Sequence, residues 1–112
     1  MQATSVVTSK SSLSEPKTRL IELMQRLNFG RIENLVVANG EPVFEPLPRV
    51  FPEPKFGAEK GPRPEAAKAD FALKSQVCEL FAQLEALDNV LILRLEVQHG
   101  LPFRMVYEEV LA

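Results

Sequence analysis

The sequence predicts a small α+β domain of two pseudo-repeated helix–β-hairpin units, forming a four-stranded, mostly antiparallel sheet with two helices packed on one face. Three observations lead there. Two amphipathic helical patterns are each followed by a hairpin pattern, a proline-rich stretch separates the halves, and the two hairpin turns superimpose with a shift of 60 residues. Residues 35–42 lie over residues 95–102, with Leu35 and Leu95, Val37 and Val97, Gly40 and Gly100, and Pro42 and Pro102 identical. Upstream, residues 22–27 lie over residues 79–84 with a shift of 57, which implies three extra residues between helix and hairpin in the second half. The expected organisation is a flexible tail over residues 1–13 and one domain over 14–112. That domain divides into a first αββ unit (14–45), a proline-rich connector (46–63) and a second αββ unit (64–112).

Each element has a local reason. Residues 1–13 are rich in Ser and Thr and show no periodicity, the pattern of a solvated tail. Ser14 is a suitable N-cap, Pro16 suits a first helical turn, and Leu20, Leu23, Met24 and Leu27 recur on one helical face. Gly30 is expected to end that helix in the left-handed conformation. Strands over 31–37 and 41–45 then flank Ala38, Asn39 and Gly40. A three-residue turn would pair Leu35 with Val43 and Val37 with Glu41.

Six of the nine prolines fall between residues 46 and 64, so this stretch is neither a regular helix nor a central strand. Val50, Phe51 and Phe56 predict that it packs on the core in places, running along the outside of the sheet or across its second face. Pro64 and Glu65 open the second helix, in which Leu73, Val77, Leu80, Leu84 and Leu87 form an apolar seam until Asp88 and Asn89 break it. The second hairpin is expected over 90–97 and 101–110. A three-residue turn of Gln98, His99 and Gly100 would pair Leu95 with Phe103, Leu93 with Met105 and Leu91 with Tyr107 on one apolar face. Ile92, Arg94, Glu96, Pro102, Arg104 and Val106 would then share the other face.

Composition bounds the function. The 112 residues are 46% apolar, enough for one modest core, and their net charge of −2 creates no strong field toward nucleic acid or anionic membrane. One Cys cannot form an internal disulfide, no secretory or membrane-spanning segment is legible, and a cytoplasmic protein is expected. With one His, one Cys and two Asp, convergent catalytic or metal-binding sets are scarce, and no catalytic residue, metal or cofactor is expected. His99 reads as a turn residue, Cys78 as a buried small hydrophobe, and Glu108 and Glu109 as a solvated strand end. The glycines at 57 and 61 lack P-loop spacing.

These features predict a small non-enzymatic interaction module. It would bind another protein, or its own copy as a homodimer, through Ile32, Val36, Phe44, Ile92 and Val106 on the second sheet face with Phe51 and Phe56 of the connector. The alternative is a nucleic-acid or phosphate-binding accessory protein using Arg94, Arg104 and the basic segment containing Lys55, Lys60, Arg63 and Lys68.

Overall fold

A computed structural model describes residues 13–57 and 75–111. In order they form α1 (Glu15–Leu27), β1 (Gly30–Ala38), β2 (Glu41–Val43), β3 (Arg49–Pro52), α2 (Ser75–Leu87), β4 (Val90–Gln98) and β5 (Leu101–Tyr107). The class is α+β, with an antiparallel sheet of five strands and not four. Along the sheet the order is β2, β1, β4, β5, and β3 pairs with β1 on the same edge as β2. The fifth strand comes from the connector, where Arg49–Pro52 forms a short edge strand, a place in a sheet where proline is tolerated. The rest of the predicted connector and the predicted start of the second helix, residues 58–74, lie outside the described residues.

Ser14 caps α1 as its composition suggests, its Oγ accepting the Lys17 backbone N–H at 3.4 Å, with Pro16 in the first turn. Leu20, Ile21 and Met24 are buried along α1, and Leu80, Phe81 and Leu84 along α2. These positions are 60 residues apart, as are the starts of the helices at Glu15 and Ser75, of β1 and β4 at Gly30 and Val90, and of β2 and β5 at Glu41 and Leu101. A shift of 57 between the helices is therefore incorrect, and no extra residues separate helix from hairpin in the second half. Leu and Glu are frequent on any helix and gave a misleading local overlap.

Helix ends and turns also correct the expectations. At the helix exits it is not Gly30 but Asn28 and Asp88, with φ of 67° and 69°, that turn the chain, each at the centre of a tight turn in which the next residue's N–H donates to the carbonyl of the residue before it. Gly30 serves a different purpose. A Cβ there would collide with the Phe51 carbonyl oxygen, so the missing side chain is what lets β3 dock on β1. Both hairpins close with two-residue turns. Ala38 faces Glu41 around Asn39 and Gly40, and Gln98 faces Leu101 around His99 and Gly100. All four turn residues have positive φ, the backbone whose twist matches that of the flanking strands.

A two-residue turn continued in uninterrupted register would pair Leu95 with Arg104 and Glu96 with Phe103, and a bulge prevents this. Between Glu96 and Val97 the β4–β5 register shifts by one residue, leaving Phe103 without a partner and placing Leu95 opposite Met105. The inward alternation of β1 and β4 also slips once. Ile32 and Leu35 are buried on β1, and Ile92 and Leu95 on β4, each pair separated by three residues instead of two. Asn34, at φ of 61°, lies in the slip on β1.

The core is one cluster made of the inner faces of both helices together with Ile32, Leu35, Val37, Ile92, Leu95 and Val97. Ile32 and Ile92, expected on the second face, are 0% exposed, whereas Leu91, Leu93 and Phe103, expected in the core, are exposed. Strict alternation fails across each slip, which inverts the assignment of every residue beyond it.

Two substitutions check this arrangement. Leu95→Ala should lower the unfolding free energy by about 2–5 kcal/mol, and Leu93→Ala should change it by less than about 0.5 kcal/mol, both measured by urea denaturation. Gly30→Ala should release β3, seen as faster amide exchange at Val50 and Phe51 with the β1–β4 amides still protected. Equal sensitivity of Leu93 and Leu95 would contradict the assigned faces.

Candidate interaction surface

With the helices packed against the inner residues, the opposite face of the sheet is built from the outward residues of β1, β4, β5 and β3. Cross-strand pairing arranges them in rows. Phe51, Arg31, Glu96 and Arg104 form one row, Arg49, Glu33, Arg94 and Val106 a second, and Val43, Val36 and Leu91 a third. Leu93 lies in the slip between the last two.

Charges on this face are largely paired with one another. Arg31 Nε donates to Glu33 Oε2 at 2.7 Å and its Nη1 to Glu53 Oε2 at 2.6 Å. The Glu33 hydrogen bond, followed by that of Glu53, raises the Arg31 pKa above its ordinary value and keeps the guanidinium charged. Its plane lies 4.3 Å from the centre of the Phe51 ring, and Arg49 covers the same ring at 5.1 Å. Glu96 holds both Arg104, at 3.0 Å, and Arg94, at 3.6 Å.

Arg94 and Arg104 are thus not direct cross-strand neighbours. Arg94 faces Val106 and Arg104 faces Glu96, because the bulge moves β5 by one residue. The Lys55 ammonium lies over the Phe29 ring at 4.9 Å, and Lys55 lines a small hollow together with Glu96, the carboxylate that holds both arginines. Lys60, Arg63 and Lys68 are outside the described residues.

The predicted apolar set is divided by the structure. Ile32 and Ile92 belong to the core, and Phe44 packs partly against it beneath Arg19, 4.4 Å from the ring centre. Phe56 is 93% exposed at a turn and does not pack on the core. Val36, Phe51 and Val106 do lie on the open face. Leu91 and Leu93, missed by the strict alternation, join them at 45% and 40% exposure beside Val106 at 42%. Their signal in the sequence is the density of apolar residues in β4, which exceeds what one buried face can absorb.

A second feature is a shallow groove of about 470 Å³ between α1 and residues 44–50, lined by Arg19, Leu23, Arg26, Phe44, Leu47 and Val50. It holds no convergent set of nucleophile, base and orienting group of the kind a catalytic site requires. His99 sits at its hairpin turn, its ring meeting that of Phe29 edge-on at 4.8 Å. Cys78 is exposed on α2 and not buried, because the inward positions of that helix are Val77, Leu80, Phe81 and Leu84.

Among the described residues no group of three or more His, Cys, Asp and Glu could hold a metal ion, and no helix is long and apolar enough to cross a membrane. No known family, curated protein or solved structure matches the chain.

Cys78 supplies a direct check on α2. In the folded protein a disulfide-exchange reagent should titrate it fully without denaturant. Reaction only after addition of urea would place Cys78 on the inner face of α2 and refute the orientation of that helix.

Proposed function

We propose that this chain is a small, non-enzymatic interaction module that binds another protein on the open face of its sheet. The observation that carries the reading is the exposure of Leu91, Leu93 and Val106 on a face that neither helix covers. Scattered apolar residues are ordinary on protein surfaces, but three that adjoin on a flat sheet face mark a contact site. Arg49, Arg94 and Arg104 border them, so the complementary partner lays apolar side chains across the three and places acidic groups toward the arginines. Central apolar contact with a charged rim is the usual anatomy of a protein interface. The absence of an internal disulfide and the scarcity of catalytic side chains agree with a cytoplasmic, non-catalytic role.

The nucleic-acid alternative rests on Arg94 and Arg104 with the basic segment of Lys55, Lys60, Arg63 and Lys68, and on the open face Arg31 and Arg49 would bring its arginines to four. Against it, Glu33, Glu53 and Glu96 hold three of them in ion pairs, which lowers the charge left for phosphates.

Affinity capture from the native host, followed by calorimetry with the purified partner, decides between the readings. Leu91→Glu with Leu93→Glu should weaken that complex at least about tenfold, a loss of roughly 1.4 kcal/mol, with the protein still folded by circular dichroism. A partner that binds the double variant as well as the native chain removes the open face from consideration. An oligonucleotide retained at low salt and released by Arg94→Ala with Arg104→Ala would favour the nucleic-acid reading instead.

A further inference from the structure

We infer that β5 is a pairing edge for a second copy of this chain, so that two sheets join through antiparallel β5 strands. The inference concerns an edge and not the open face, and it goes beyond the reading above.

The two outer edges of the sheet occupy corresponding places in the two αββ halves and are finished differently. On the β1 side the edge is broken into β2, three residues long, and β3, four residues long. Pro42, Pro46, Pro48 and Pro52 fall along or between them. Proline has no N–H, so this edge cannot support a continuous ladder with another strand. On the β4 side the edge is a single seven-residue strand, Leu101–Tyr107. Its only proline, Pro102, adjoins the turn, and its only charge is Arg104. A continuous, mostly apolar edge strand with no lysine, which no other strand among the described residues pairs, is a template for strand addition.

The edge is complementary to itself. With Val106 set opposite Val106 of the second copy, Met105 falls opposite Tyr107, Leu101 opposite Leu111, and Arg104 opposite Glu108. The dyad makes each of these pairs occur twice. Only Phe103, the residue left over in the β4–β5 bulge, meets a charge, Glu109. Residues 108–111 already continue past β5 with exposed side chains, including Val110 and Leu111, and the same register gives them strand partners. On the open face the second copy's Glu108 would extend the existing row, since Arg104 is already held by Glu96 at 3.0 Å. A foreign peptide would have to supply this charge pattern independently, whereas a second copy carries it already.

The test is a charge swap on the full chain, read by sedimentation equilibrium. The native protein should be a dimer. Arg104→Glu and Glu108→Arg should each weaken self-association at least about tenfold, because each sets like charges opposite one another twice. Mixing the two variants should restore dimerisation as a heterodimer, since every 104–108 pair again joins opposite charges.

Amide exchange gives a second readout: protection of residues 104–109 should rise with protein concentration. A strictly monomeric native protein overturns the inference, as does a dimer that neither variant weakens. Leu91→Ser with Leu93→Ser, which brings no charge near the dyad, should leave the dimer intact while weakening an open-face complex, so that failure of this inference and failure of the open-face reading remain separable.

Discussion

Two hydrogen bonds crossing between the halves hold the arrangement on which everything else depends. Gly40, in the first hairpin turn, donates its N–H to the Asp88 carbonyl at the end of α2, at 2.8 Å. Gly100, in the second turn, donates to the Asn28 carbonyl at the end of α1, at 2.9 Å. Each helix ends where Asn28 or Asp88 turns the chain sharply at positive φ, which leaves a carbonyl directed away from its own helix. The hairpin of the other half supplies the donor. Neither half can satisfy its helix exit alone, and a helix with two strands is also too small to hide its apolar face. The interlock and the shared core therefore impose the same pairing. The space for it is narrow: a Cβ on Gly40 would stand 3.2 Å from the Glu85 Cα, with φ already at +76°.

Between these two contacts runs the β1–β4 ladder, in which Gly30 faces Val97 and Val37 faces Val90. A slip of one residue would turn outward either Ile32 and Leu35 or Ile92 and Leu95, and would separate both turns from their helix exits. Lys17 adds a tie between the layers. Its buried ammonium donates to Glu85 of α2 at 2.7 Å and stands 3.7 Å from Glu41 of β2. Both carboxylates remain partly exposed, so the ion pair is not fully buried.

Much of this was legible in the sequence for identifiable reasons. Ser14 with Pro16, and the seam of Val77, Leu80 and Leu84, are local signals, and the helices follow them. Asn39 with Gly40, and His99 with Gly100, mark the hairpins. What the sequence concealed was non-local. The edge strand Arg49–Pro52 exists because Gly30 leaves room for it, a condition written some twenty residues earlier and invisible in the proline pattern. The slips near Asn34 and Leu93 fall in the middle of the two long paired strands, and no alternation rule predicts where alternation stops. Ile32 and Ile92 were consequently expected on the surface and Leu91 and Leu93 in the core, so the presence of apolar residues on the second face was legible but its members were misassigned.

Comparison of the halves shows how their outer surfaces differ while their inner ones agree. At corresponding inward positions stand Leu20 and Leu80, Ile32 and Ile92, Leu35 and Leu95, and Val37 and Val97. On the outward face of the central strands Arg31 corresponds to Leu91 and Glu33 to Leu93. The first half closes its outer face with ion pairs and its edge with prolines. The second half leaves leucines on its face and an unbroken strand at its edge. Face and edge meet at Arg94, Val106 and Arg104, so a chain joined through β5 would place two open faces side by side across the dyad. In that arrangement the first half is the scaffold that fixes the register of β4, and the second half presents both of the proposed contact surfaces.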